Sequence, residues 1–112
     1  YQLLDDQKAE DNKQANHLAG SLYDIIAPAK AAENPAGQWN HTVIRLKNGD
    51  LTFWLNGVQT VKTHLWDANW TELVSKSKFK NWKDFAFFNK GHISLQDHGY
   101  HIAFRNVKIR EL

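Results

Sequence analysis

Residues 38–63 read QWNHTVIRLKNGDLTFWLNGVQTVKT, and this stretch decides the fold. Two Asn-Gly pairs, Asn48-Gly49 and Asn56-Gly57, separate runs in which apolar and polar residues alternate. Asn-Gly readily adopts the two positive φ angles of a type I′ turn, which joins neighbouring antiparallel strands. The pattern therefore predicts a three-stranded antiparallel meander with one buried face.

The first Asn-Gly turn also fixes the register of the predicted hairpin, because a two-residue turn leaves only one alignment of the flanking strands. The predicted cross-strand pairs are Thr42 with Leu55, Val43 with Trp54, Ile44 with Phe53, Arg45 with Thr52, and Leu46 with Leu51. We expect the apolar side chains of this hairpin, and two from a later predicted strand, to be buried: Ile44, Leu46, Leu51, Phe53, Leu55, Ile93 and Leu95.

Outside the meander, the pattern of apolar residues predicts a short helix downstream and two strands upstream. Residues 66–80, WDANWTELVSKSKFK, carry Trp70, Leu73, Val74 and Ser77 at helical spacing, and predict a short helix capped by Asp67 or Asn69. Upstream, the runs at Tyr1–Asp6 and Ser21–Ala27 are strand-like and are separated by a polar stretch that predicts a loop.

The C-terminal stretch, KGHISLQDHGYHIAFRNVKIREL from Lys90, predicts two more strands around a tight turn at residues 98–100. The first of these strands would place Ser94, Gln96 and His98 on one face. Such a polar face indicates contact with water or a ligand. In the second strand the apolar parity changes near Arg105, which is typical of a β-bulge that re-aims a side chain.

Composition narrows the class of protein and its partners. The chain has 112 residues, enough for one domain, and its 14 basic and 12 acidic residues are scattered, which argues against a nucleic-acid groove. No apolar run approaches the roughly 20 residues that cross a bilayer, so we expect no membrane insertion. There is no cysteine, and His98 and His101 lack a third ligand, so the sequence indicates neither a metal site nor a cofactor. Oligomeric state stays open.

At least five strands and one short helix predict an all-β antiparallel sandwich. The chain opens inside a predicted strand, and the meander has an apolar face with few partners. We therefore expect residues 1–112 to be the C-terminal portion of a single β-sandwich domain. The fold would then be incomplete in this chain, which by itself should aggregate or melt early.

Several blocks along the chain resemble the 3-keto-disaccharide hydrolase family, in the family's order. They are YQLLDD from Tyr1, AGSLYDIIAP from Ala19, GQWN, FWLNG, SKFK, and above all GHISLQDHG and FRNVKIREL near the end. The resemblance implies a concanavalin-A-like jelly roll of bacterial origin. It also implies a periplasmic or extracellular location and a carbohydrate substrate.

The resemblance further implies cleavage of a glycosidic bond in a sugar whose third carbon is a ketone. That ketone acidifies the proton on carbon 2, so a base can remove it and expel the group on carbon 1, after which water adds back. Such a site needs a general base, donors for the enolate oxygen and an acid for the leaving group. The candidate catalytic residues are Asp5, His98 and Arg105.

Each candidate has a functional and a structural interpretation. Asp5 or His98 would act as base or acid, but Asp5 could instead close a turn, and His98 could bond nearby backbone. Arg105 could bind the enolate oxygen or form an ion pair. The candidate substrate-binding residues are Gln2, Tyr23, Trp54, Ser94 and Gln96. His17 and Tyr23 flank a small-residue stretch, LAGSL, and either of them could contact the ligand. Gln2 and Asp5 have a spacing similar to part of the acidic strand of jelly-roll glucanases.

Two alternatives to this enzyme stay open from the sequence. One is a non-catalytic carbohydrate-binding module on the same sandwich, with Trp54 stacking on sugar rings. The other is a conventional glycosidase, which needs two carboxylates at a defined separation, whereas this sequence offers one good candidate.

Overall fold

The structure is a computed structural model that describes all 112 residues. The elements, in chain order, are a 3₁₀ turn at Ala15–His17, strands β1 (Thr42–Lys47), β2 (Asp50–Leu55) and β3 (Val58–His64), helix α1 (Ala68–Ser75), and a second 3₁₀ turn at Lys78–Asn81. The chain forms two compact units, an N-terminal unit at Tyr1–Asn81 and a C-terminal unit at Trp82–Leu112. All three strands lie in the N-terminal unit, so the protein is an antiparallel β-sheet structure with one α-helix.

The predicted meander is confirmed. The sheet order is β1-β2-β3, both pairings are antiparallel, and all five predicted pairs between β1 and β2 are present. Asn48 and Gly49 have φ angles of 51° and 86°, and Asn56 and Gly57 have 50° and 82°. The Asn-Gly pairs therefore supply the left-handed residues that a type I′ turn needs.

Burial in the meander follows the sheet position as well as the residue type. Leu51, Phe53 and Leu55 on the central strand are buried, as predicted. Ile44 and Leu46 are 56% and 45% exposed, so their predicted burial is wrong. They lie on the edge strand β1, which is exposed along its whole length. A correct register puts a side chain on the right face but does not supply the layer that covers it.

A β-bulge interrupts the pairing of β2 with β3. Phe53 pairs with Val61 and Trp54 pairs with Gln59, so Thr60 is the extra residue. Its backbone oxygen accepts from Ala29 N at 2.7 Å, and its hydroxyl donates to Gly20 O at 2.8 Å. Gly20 has a φ of 78°, and a β-carbon there would lie 3.0 Å from the Thr60 methyl group. Because Thr60 is the extra residue of the bulge, its backbone oxygen and hydroxyl are available to residues outside the sheet. They attach the loop that precedes the sheet to β3.

The helix prediction is confirmed with its cap. Helix α1 begins after Asp67, whose Oδ1 accepts from Trp70 N at 2.6 Å. Trp70 and Ser77 are buried, whereas Leu73 and Val74 are only half-buried. An N-cap carboxylate satisfies one of the unpaired N–H groups in the first turn, which explains why the helix begins there.

The other predicted strands do not form, so the prediction of at least five strands is wrong. Near the start of the chain, Gln2 makes two backbone hydrogen bonds, with Ser21 O and Gly20 N, but this pairing does not extend into a ladder. Residues 21–27 fold into a tight turn that Leu22 and Ile26 close, with Asp24 at a φ of 60°. A left-handed residue in the middle of the run breaks the extended backbone that the sequence pattern predicted.

The C-terminal unit has no strand, so the predicted hairpin and its bulge near Arg105 are also wrong. Ile93 and Leu95 are 72% and 55% exposed, contrary to the predicted burial. A strand exists only where a neighbour supplies the other half of its hydrogen-bond ladder, and alternation in the sequence cannot supply that neighbour.

Candidate functional site

One buried histidine organises the polar interior of the N-terminal unit. His17 is 6% exposed, and its two ring nitrogens lie 2.7 Å from Asp11 Oδ1 and 2.9 Å from Asp24 Oδ1. Tyr23 and Lys78 complete what we call the His17 cluster: Asp11, His17, Tyr23, Asp24 and Lys78. The Tyr23 hydroxyl donates to Asp11 Oδ2 at 2.9 Å, and Lys78 N donates to Asp24 Oδ2 at 2.6 Å.

The electrostatics of the His17 cluster favour a charged imidazole. Burial alone would lower the pKa of His17, but its hydrogen bonds with Asp24 and Asp11 outweigh burial and raise it above the usual value. Burial alone would raise the pKa of the Asp24 carboxyl. The hydrogen bonds that it accepts from Lys78 N and His17 outweigh burial and lower that pKa below the usual value. An imidazolium has two N–H donors, which matches the two carboxylates that the ring faces.

Tyr23, a predicted substrate contact, is held in place by this cluster. Its ring lies 4.5 Å from the His17 ring, and Lys78 Nζ lies 4.2 Å from the ring centroid. The half-buried Tyr23 ring is therefore fixed by a hydroxyl hydrogen bond, a ring contact and a cation–π contact. Its role in binding a substrate stays a prediction.

Asp11 and Asp24, the partners of His17, were not found by sequence reasoning. Asp11 stands six residues before the histidine, in the polar stretch that predicts a loop, and Asp24 stands seven residues after it, in the run that was predicted to be a strand. No spacing rule joins them, because the fold of the loop brings them together. The left-handed conformation of Asp24 and its bond to Lys78 N are both tertiary features.

Asp5 begins a turn and keeps one oxygen free. Its Oδ1 accepts from Gln7 N at 3.0 Å and from Lys8 N at 3.1 Å, so the carboxylate is positioned by its own backbone. Its Oδ2 makes no hydrogen bond. Asp5 also lines a recess of about 70 Å³ with Gln7, Lys8, Pro35 and Ala36. A recess of that size is too small for a disaccharide.

Two further carboxyl groups, Asp6 and Glu33, lie close to Asp5. Asp6 Oδ1 accepts from Ala19 N at 2.7 Å, and Glu33 Oε2 accepts from Asp6 N at 3.3 Å. Burial raises the pKa of Asp6 and that of Glu33, and the charge of Asp5 adds to the rise at both. Of these three carboxyl groups only Asp5 was a predicted site residue, although Asp6 is its direct neighbour in the sequence. A carboxyl group whose pKa is raised can hold a proton closer to neutral pH.

Gln2 and Trp54 both lie in the N-terminal unit. Gln2 is anchored through its backbone to Gly20 and Ser21, and its side-chain amide makes no hydrogen bond. Trp54 follows the last regular pair before the bulge and is half-buried, with its backbone oxygen accepting from the Tyr1 hydroxyl at 3.1 Å. Burial raises the pKa of that Tyr1 hydroxyl to about 12.

The remaining candidates, Ser94, Gln96, His98 and Arg105, lie in the C-terminal unit and are exposed. Beside His98, Gly99 has a φ of 84° and its N–H donates to Asp97 Oδ1 at 2.7 Å, so Asp97 stabilises the predicted turn. The convergence of His98, Gln96 and Arg105 with Asp5 stays a prediction. In the structure, no three side chains of metal-binding type are grouped so that they could hold a metal ion.

Comparison with known families decides the affiliation of the chain. The family model described as the 3-keto-α-glucoside-1,2-lyase-like domain matches residues 1–110. The chain belongs to this family. All of the candidate residues named above lie inside the matched range.

Two relatives of this chain, a member of the 3-keto-α-glucoside-1,2-lyase-like family, are longer proteins. A 3-keto-disaccharide hydrolase from Bacteroides thetaiotaomicron is 33% identical over an alignment that covers 100% of this chain and 43% of that protein. The crystal structure of a candidate glycosyl hydrolase from Parabacteroides distasonis matches with a TM-score of 0.67 and 25% identity. That match covers 79% of this chain and 43% of the other. The chain thus spans less than half the length of these relatives.

No helix of this family member is both long enough and apolar enough to cross a membrane.

Proposed function

We propose that this chain is part of a glycosyl hydrolase that cleaves the glycosidic bond of 3-keto-disaccharides or related 3-keto-glycosides. The observation that carries the proposal is the family match over residues 1–110, together with 33% identity across the whole chain to a 3-keto-disaccharide hydrolase. The wider proposal includes a jelly-roll sandwich, to which the present sheet contributes three strands, and a periplasmic or extracellular location.

The proposed reaction is elimination followed by hydration. Asp5 or His98 removes the proton on carbon 2, next to the ketone, and the electrons of that bond form the enolate. The enolate collapses with loss of the group on carbon 1, whose oxygen takes a proton from the other member of the pair. Water then adds across the resulting double bond, so the net change is hydrolysis. Arg105 and Gln96 donate hydrogen bonds to the enolate oxygen, where charge develops.

The geometry of Asp5 supports its role in this scheme. Its Oδ1 is held by two backbone N–H groups, and its Oδ2 is free to take a proton. A base that is oriented by its own turn loses little entropy when it meets a substrate. Trp54, Tyr23, Gln2 and Ser94 would contact the sugar rings, with the half-buried Trp54 offering an aromatic face.

The test is cleavage of a 3-keto-disaccharide by the native protein that carries this domain, measured as released monosaccharide. His98→Ala should lower the rate by about 10²–10⁴-fold, the usual contribution of a general acid or base. His101→Ala is the matched control, since it removes a histidine of the same segment that has no assigned role. Both variants should keep the wild-type melting temperature.

Three outcomes would contradict parts of the proposal. An unchanged rate in His98→Ala would assign the chemistry to the carboxylates instead. Binding of the 3-keto-disaccharide without cleavage by the wild-type protein would indicate a carbohydrate-binding module. Equal cleavage of an unoxidised disaccharide would reject the elimination mechanism, because carbon 2 is acidic only beside the ketone.

A further inference from the structure

The two Asn-Gly turns of the meander have the same backbone conformation but differ in what their asparagine side chains do. Asn48 and Asn56 have φ angles of 51° and 50°, and each is followed by a left-handed glycine. Neither glycine N–H donates to a backbone oxygen. The two sites are thus a matched pair in sequence and in backbone, within one sheet.

The side chain of Asn56 is fully engaged. Its Oδ1 accepts from His41 N at 2.8 Å, and its Nδ2 donates to Ala32 O and to Asn40 Oδ1, both at 2.7 Å. Its own backbone N–H donates to His41 O at 2.8 Å. The side-chain amide therefore cannot turn toward the next peptide unless three hydrogen bonds break.

The side chain of Asn48 is exposed and makes no hydrogen bond. Its amide carbon is free to approach the nitrogen of Gly49, and a glycine offers the least steric hindrance to such an approach because it lacks a β-carbon. One feature acts in the other direction: Gly49 is buried under the His64 ring, whereas Gly57 is exposed. The free side chain thus favours an attack by the next nitrogen at Asn48, whereas the burial of Gly49 favours the same attack at Asn56.

We propose that Asn48 is a site of spontaneous deamidation and isomerisation, and that Asn56 is protected from the same reaction by its hydrogen bonds. The nitrogen of Gly49 attacks the Asn48 amide carbon, forming a new C–N bond. The bond from that carbon to Nδ2 breaks, and ammonia leaves with the proton from the Gly49 nitrogen. Water then opens the resulting succinimide at either carbonyl and yields aspartate or isoaspartate.

The product changes the turn in two ways. An isoaspartate adds one carbon to the main chain of a two-residue turn, so the register between β1 and β2 can no longer be the one that the turn specifies. Either product also places a new negative charge two residues from Asp50, which lies 2.8 Å from His64 Nδ1. The modified chain should therefore have a less stable first hairpin.

The experiment compares both sites in a single molecule. The native protein that carries this domain is incubated folded in mildly alkaline buffer and then digested with trypsin, which releases both asparagines in one peptide, residues 48–62. Fragment ions of that peptide give the extent of conversion at each site. We expect Asn48 to react at least about tenfold faster than Asn56, because three hydrogen bonds protect the latter.

The denatured chain is the control, since both sites are Asn-Gly and should react at similar rates once the structure is lost. The variant Asn40→Ala removes one partner of Asn56 and should speed conversion at Asn56 while leaving Asn48 unchanged. Equal rates in the folded chain, or faster conversion at Asn56, would overturn the proposal. So would protection of both sites in the folded chain when the denatured chain reacts at both.

Discussion

The Nε2 atom of His17 lies 2.9 Å from Asp24 Oδ1, and Oδ2 of the same carboxylate accepts from Lys78 N. The Asp24 side chain thus joins a buried histidine to Lys78, which lies 54 residues after Asp24 in the chain. Because Asp24 is mostly buried, loss of its carboxylate leaves two donors without an acceptor.

Removing the Asp24 carboxylate should destabilise the N-terminal unit. Asp24→Ala is expected to lower the free energy of unfolding by about 2–4 kcal/mol, from two lost hydrogen bonds to a mostly buried carboxylate. Asp24→Asn separates charge from conformation, since asparagine also tolerates the left-handed region, and it should cost less. Chemical denaturation measures both, with Asp11→Ala, whose carboxylate is about half exposed, as a milder comparison. Equal costs for Asp11→Ala and Asp24→Ala would contradict this account.

The His17 cluster should make stability depend on pH in a defined direction. His17 has a raised pKa, so its contribution is complete below the ordinary histidine value of 6.5 and is lost as pH rises through the folded pKa. Asp11 and Asp24 have lowered pKa values, so their contribution is complete above 3.8 and is lost as pH falls through the folded values. The cluster therefore stabilises the fold most between these limits.

The measurement is the difference in free energy of unfolding between wild type and His17→Gln across the pH range. That difference should be largest at mildly acidic pH and shrink toward alkaline pH, because a neutral imidazole can donate to only one of its two carboxylates. A ¹H NMR titration of His17 gives its folded pKa independently. A value below that of an unstructured peptide would refute the prediction.

The hydroxyl of Thr60 should matter more than its shape. Thr60→Val keeps the branched side chain but leaves Gly20 O without its donor, and we expect a loss of about 1–3 kcal/mol in the free energy of unfolding. Thr52→Val is the matched control, because Thr52 is also buried in the sheet but its hydroxyl makes no hydrogen bond. That control should change stability by less than about 0.5 kcal/mol. Similar losses in both variants would show that the bulge contact is not specific.

The three hydrogen bonds of the Asn56 side chain should stabilise the protein in addition to the conformation of the second Asn-Gly turn. Asn56→Ala and Asn48→Ala both remove an asparagine from a left-handed position, so their backbone costs should be similar. Asn56→Ala also loses three hydrogen bonds and should be less stable than Asn48→Ala by about 1–3 kcal/mol. Thermal unfolding of the two variants in parallel gives the difference, and equal midpoints would be inconsistent with it.

Local signals in the sequence predicted the local structure well. The Asn-Gly pairs gave both turns and the full register of β1 with β2, since a type I′ turn has only one geometry. Asp67 was predicted as a possible cap of α1 because capping depends on residues three positions apart. Neither feature requires knowledge of distant residues.

Features that depend on distant partners could not be predicted in this way. Ile44 alternates as a core residue should, yet it is exposed because no layer covers β1. Asp11 and Asp24 have no sequence relationship to His17 that marks them as its partners. The residues of the C-terminal unit alternate like strands, yet none of them lies in a strand. Alternation reports what a segment can do and leaves open whether a partner exists.

The bulge at Thr60 has a consequence for the order of folding. Both hairpins of the meander close over two residues, and such local contacts form in microseconds. The bonds from Thr60 to Gly20 and from Lys78 to Asp24 close loops of 40 and 54 residues, which costs more chain entropy. The meander should therefore already be formed in the transition state of folding, and the preceding loop should dock on it afterwards. Substitutions in the Asn-Gly turns would then slow folding, and those in the His17 cluster would mainly speed unfolding.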